Sequence, residues 1–385
     1  MTVTLLDLPN ELLLYIARFL PSQEDVSYLC CANRLLHAVL DSYLYHFNVH
    51  HDNAFALTFG AHVGCRTVVV KCLAAKPPNI DAPPYRLPGR SRGWPSRNAL
   101  CNAIIRQHTD LVELLLAHGA SPHHGWRGKV TPLMMAAKYG NIESMRMLIE
   151  RGADAHAKDG LQQTALYYAA ARGGVEFIRF LLEQGAEVNV AGENGKTPFL
   201  LAAGAGDLAS MEVLLDHGVD IAAIDASGRN ALCAAAKSGQ VPCVQSLLDR
   251  GAECQLSTDM GRTALFDAVH YGQAEVAQLL LDRGVILERK EELMHATARS
   301  GYLACLEILL RHGVDVDCKT QNQETPLLLA VRFGHSNVVE HLVGVGADIN
   351  SPELKGQTPM SLAHARVDKR IELLLRGETI QCRPP

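Results

Sequence analysis

The sequence predicts an all-α protein, a small N-terminal bundle of three helices followed by a solenoid of about ten helix–turn–helix units. Three observations carry that expectation. A line opening with Thr or Asn recurs every 33 residues from Asn98 to Thr263, and again from Thr325 to Thr358. A glycine series keeps the same step through Gly119, Gly152, Gly185, Gly218, Gly251 and Gly284, then Gly313 and Gly346. The first fifty residues share neither register, yet their apolar residues follow helical spacing.

In the N-terminal segment Leu5, Leu8, Leu12, Ile16, Phe19 and Leu20 lie on one helical stripe, with Pro9 near its start and Pro21 as a stop. Ser22 with Asp25 caps a second helix over 24–31 that includes Leu29, and a third follows over 34–45 with Leu35, Leu36, Val39 and Leu40 apolar. Three short helices in so few residues bury little core, so the bundle expects a partner. The boundaries read as 1–50 for the bundle, 51–380 for the repeats and 381–385 for a tail.

Each repeat position has a mechanical reason. The Thr or Asn is an N-cap whose side-chain oxygen accepts a first-turn N–H. Pro132, Pro198, Pro326 and Pro359 occupy N1, where a missing N–H costs nothing. Ala136–Ala137 and Ala202–Ala203 let two short helices approach closely. Glycines such as Gly140 end the first helix, and the Gly152 series ends the second in a left-handed conformation. FALTFGAHVG over 55–64 fits the same line without its Thr, as a divergent first repeat. The excess of ten residues before Asn98 falls within the Pro- and Arg-rich stretch 76–97. Between Gly284 and Gly313 the step falls to 29, so the repeat ending near 291 is shortened.

These residues resemble the ankyrin repeat, with its TPLH-A-A-G line and V-LL-GA line. The fourth residue departs from that pattern. It is His only at His295, and elsewhere Met134, Tyr167, Leu200, Cys233, Phe266, Leu328 or Ser361. The family's Thr–His hydrogen bond is therefore mostly absent, and uneven stability is expected, with the shortened repeat a second weak point. The segment LLDLPNELLLYIARFLPSQEDVSYLCCANRLLHAVL resembles the F-box, with Leu8–Pro9, Glu11, Ile16, Leu20, Val26 and Leu29 at motif positions and no Trp near Leu36. The layout is similar to the F-box/ankyrin proteins of filamentous fungi. That resemblance implies a substrate-recognition adaptor of an SCF-type cullin–RING ubiquitin ligase, docking on the Skp-type linker through Leu8, Pro9, Leu12, Ile16, Leu20, Leu29 and Leu36. A second reading makes the bundle a helical cap on the repeats of a non-ligase scaffold.

Composition narrows the partners. Thirty-six basic and 41 acidic residues give a net charge of −5, which argues against nucleic acid and membrane surfaces as partners. No apolar run reaches the length of a bilayer span, the N-terminus lacks a basic signal region, and the 11 cysteines are scattered. A reduced intracellular compartment, cytosol or nucleus, is expected, with a monomeric chain outside its complex.

The two residues preceding the first-helix glycine are the exposed, variable pair of each repeat. Seven of the nine pairs from Arg106–Gln107 to Ala365–Arg366 carry Lys or Arg and none carries Asp or Glu. Arg106, Lys138, Arg172, Lys237, His270, Arg299 and Arg332, with Tyr139, Tyr271 and Phe333 as flat anchors, are the candidate surface for an acidic or phosphorylated protein segment. A merely solvated charged face is the plainer reading of the same row. GENGKT over 192–197 falls short of a P-loop, His123–His124 and His50–His51 lack a third ligand, and no nucleophile–base or paired-carboxylate pattern appears, so no catalysis, cofactor or metal is expected.

Overall fold

The computed structural model describes residues 55–74, 79–82, 97–125, 127–258 and 260–377. The N-terminal bundle expected over 1–50 and the tail lie outside the described residues, as do most of 76–97 and its Arg86, Arg90, Arg92 and Trp94. Among the described residues are twenty α-helices in ten antiparallel pairs, and no β-strand. The stretch expected as a divergent first repeat forms the helices Phe55–Val63 and Arg66–Ala74.

The chain divides into two compact units, one ending at Glu193 and the other beginning at Asn194. Inside each unit first helices pack on first helices and second on second, repeat after repeat. Leu100, Ile104, Leu115, Leu133 and Leu148 are fully buried in the earlier unit; Phe199, Leu214, Leu265, Leu306 and Leu327 are in the later one. Ala136, Ala137, Ala202 and Ala203 have no exposed surface, as their close-approach role requires. Burial of this kind accrues between neighbours, so each hairpin depends on the next.

The cap chemistry is local. The Asn98 Oδ1 accepts the Cys101 N–H at 2.9 Å, and the Thr325 Oγ1 accepts that of Leu328 at 3.2 Å. Where histidine is missing, other side chains take part of its work. The Thr131 N–H meets the Met134 sulfur at 3.3 Å, and the Thr358 N–H donates to the Ser361 Oγ at 2.9 Å. His295 reaches forward instead, its Nε2 lying 2.9 Å from the Cys318 carbonyl oxygen.

First-helix ends are closed by the next repeat. The His335 Nε2 donates to the Arg299 carbonyl at 2.8 Å, and the Gln273 Nε2 to that of Lys237 at 3.3 Å. The imidazole of His335 lies so close over Gly301 that a Cβ there would stand 2.5 Å from its Nδ1, at a φ of +77°. Only glycine fits that position.

One side chain spans the gap at the shortened repeat. Without a Thr-capped loop, the first helix of the repeat that follows, Lys290–Ser300, runs longer than its counterparts and starts from Arg289 at a φ of 50°. The Arg289 guanidinium donates to the Met260 carbonyl at 3.1 Å, pairs with Glu292 at 2.5 Å and lies 4.9 Å from the centre of the Phe266 ring. Four lost residues are thus replaced by one long side chain with three contacts.

Candidate functional site

At the ends of two second helices, cations are matched by carboxylates one repeat earlier, whereas Arg151 at the end of another donates to the Leu116 carbonyl at 2.6 Å. Arg250 pairs with Glu212 and with Asp216 at 3.3 Å, and Arg283 with Asp249 at 2.8 Å. Those at the ends of first helices mostly meet aromatic rings instead. Lys138 stands 5.5 Å from the centre of the Tyr168 ring, Arg172 5.1 Å from Phe177, Lys237 4.7 Å from Tyr271 and Arg299 5.8 Å from Phe333. Among the described residues none of these four forms an ion pair with a carboxylate. A ring face holds a cation in place without neutralising it, so the charge stays available to a partner.

The remaining candidates divide. Arg106 is exposed and its Nη2 lies 2.7 Å from the His62 Nε2. Burial, then the Arg106 charge, lowers the His62 pKa, which leaves that imidazole as an acceptor at neutral pH. Arg332 is clamped between the carboxylates of Glu324 and, at 2.6 Å, Glu353, both 8% exposed. Its charge is balanced inside the chain, and its role is to join the loops before and after it. Tyr139 is half-buried, and its carbonyl accepts the Gln107 side-chain N–H at 3.2 Å. The ring under Lys138 is that of Tyr168, from the next repeat. Its hydroxyl donates to the Asp159 Oδ2 at 2.7 Å, and burial together with that bond pushes its pKa up. A tyrosine four residues after the cap, where Met135, Leu201 and Leu329 stand elsewhere, was the signal in the sequence.

In the later unit the rings join into a cluster. His270 stacks on Phe266 at 5.6 Å and meets Tyr271 edge-on at 5.1 Å, while Arg262 lies 5.2 Å from the Phe266 centre. Burial, then the Arg262 charge, lowers the His270 pKa. Beneath them Asp267 is 3% exposed, and burial pushes its carboxyl up against the pull of Arg262, Lys237 and Arg229. Phe266 and Arg262 were not among the sequence candidates; the signal for Phe266 was its place one helical turn before His270 on the same helix. Tyr271 and Phe333 are 36% and 47% exposed, open enough to touch a partner.

Among the described residues no group of three or more His, Cys, Asp or Glu gathers at metal-ligating distance, and no helix is long and apolar enough to cross a membrane. The near-P-loop is a structural turn. A Cβ on Gly195 would stand 2.9 Å from the Ala226 backbone nitrogen, because the neighbouring loop tip packs directly on it.

The family model for ankyrin repeats matches residues 61–159, 133–225, 221–291 and 292–383. The chain belongs to the ankyrin-repeat family. Its ankyrin repeats are similar to those of protein phosphatase 1 regulatory subunit 27 of Homo sapiens, 28% identical over 87 residues, 23% of this chain and 56% of that protein. Ankyrin repeat domain-containing protein 53 of Homo sapiens is 36% identical over 75 residues, 18% of this chain and 14% of that protein. Ankyrin repeat domain-containing protein 29 of Danio rerio is 50% identical over 54 residues, 14% of this chain and 18% of that protein. The chain thus spans little more than half the length of the first of these relatives and under a fifth of the other two. Ankyrin repeats present a surface for protein–protein interaction.

Proposed function

We propose that the chain is a non-catalytic substrate-recognition adaptor of an SCF-type cullin–RING ubiquitin ligase. In this reading its ankyrin repeats capture an acidic or phosphorylated protein segment, and residues 1–50 dock on the Skp-type linker. The observation that carries the capture half is that four cations at first-helix ends, Lys138, Arg172, Lys237 and Arg299, lie on ring faces and form no ion pair among the described residues. Long-range attraction from such a row speeds encounter with an acidic partner and selects against basic ones. The docking half rests on the Leu8–Pro9 pattern and its F-box resemblance. Bringing a bound segment close to the ligase raises its effective concentration there without any chemistry by this chain.

Charge reversal tests the capture half. Lys138→Glu with Arg172→Glu should abolish binding of an acidic substrate peptide while the melting temperature stays close to that of the parent. Unchanged peptide affinity would overturn it. If the linker fails to bind while the peptide is still captured, the chain is an ankyrin scaffold and the bundle is its cap.

A further inference from the structure

In the unit beginning at Asn194, the residues two before the first-helix glycine are, in four successive repeats, Lys237, His270, Arg299 and Arg332. Their charges differ. Lys237 and Arg299 form no ion pair among the described residues, and each lies over an exposed ring of the next repeat, Tyr271 and Phe333. Arg332 is balanced by Glu324 and Glu353. His270 is packed between the Phe266 and Tyr271 rings, where burial favours its neutral form. Available positive charge therefore stands at the first and third of the four places.

Neighbouring first helices in this unit pack directly on one another. Packed helices lie about 8–10 Å apart, which sets the two charges about 16–20 Å from each other. An extended chain advances about 3.3 Å per residue, so that span corresponds to about five or six residues.

We infer that this row reads an extended segment of another protein in which two anionic side chains, carboxylate or phosphate, stand about five or six residues apart. This rests on the acidic-capture reading above and adds a spacing to it. The residues between the two anions lie along His270 and Tyr271, which offer ring faces and no charge.

The test uses the full chain and fluorescent Ala/Ser peptides carrying two glutamates or two phosphoserines, set three, six or nine residues apart. Anisotropy titrations should give roughly tenfold tighter binding for the spacing of six than for three or nine, about 1.4 kcal/mol. Lys237→Gln and Arg299→Gln should each erase that preference, whereas Arg311→Gln, at the exposed end of a second helix, should leave it. A preference confined to phosphoserine assigns phosphate as the anion; one shared by both series assigns either. Salt-sensitive binding that is equal at every spacing would overturn the spacing and leave acidic capture standing. Absence of binding by every anionic peptide would overturn both.

Discussion

The Lys237 ammonium lies 4.7 Å from the centre of the Tyr271 ring, one repeat further along, and no carboxylate pairs with it among the described residues. An exposed cation–ring contact is worth about 0.5–1 kcal/mol. Lys237→Gln should therefore change the urea midpoint of the full chain little, while weakening capture of an acidic peptide and flattening its dependence on salt. Equal losses of stability and capture would make the contact structural.

Arg332 behaves in the opposite way. Its guanidinium is the counter-charge of Glu324 and Glu353, each 8% exposed. Removing one partner of a buried ion pair costs about 3–5 kcal/mol, and with Arg332 itself partly exposed about 2–3 kcal/mol is expected for Arg332→Gln. Chemical denaturation measures this. Adding Glu324→Gln and Glu353→Gln to the same chain should recover much of the loss, because no buried charge is then left alone.

Gly301→Ala should be more damaging than Gly152→Ala. Both glycines have positive φ, 77° and 85°, which costs an L-residue about 1–2 kcal/mol. At Gly152 a Cβ would meet nothing within 4 Å, whereas at Gly301 it would meet the His335 ring and displace its bond to the Arg299 carbonyl. Melting curves of the two variants should rank in that order, and equal losses would count against the closing role of His335.

Stability should fall as pH drops below neutral, in part through His270. Its pKa is lowered in the fold by burial, then by Arg262, so the unfolded chain binds the proton more readily. The contribution is complete above the unfolded value of about 6.5 and is lost as pH falls through that value towards the lower folded one. His270→Phe, which keeps a ring on Phe266, should flatten the melting temperature between about pH 7.5 and pH 5. An unchanged slope would assign the acid sensitivity to other groups, His62 first.

Much of the repeat was legible in the sequence because its determinants are local. Thr131, Pro132, Ala136 and Gly140 each act within a turn or two of their own position, and the structure puts each where its chemistry requires. The partners that decide the surface were not legible in that way. Lys138 finds Tyr168 rather than its neighbour Tyr139, and Arg332 meets Glu353 from the following loop. His295 meets a carbonyl at Cys318, and Arg289 substitutes for a missing loop by reaching Met260 and Phe266. Each of these depends on how one repeat stacks on the next, which spacing along a single chain does not encode.

In the proposed adaptor role, one chain joins a ligase linker to a captured acidic protein. Binding of the Skp-type linker to the full chain, beside a Leu8→Ala/Pro9→Ala version, tests it most directly. Micromolar or tighter affinity that is lost in the double variant is the predicted result. No binding by either form, with both still capturing an acidic peptide, would contradict the adaptor role.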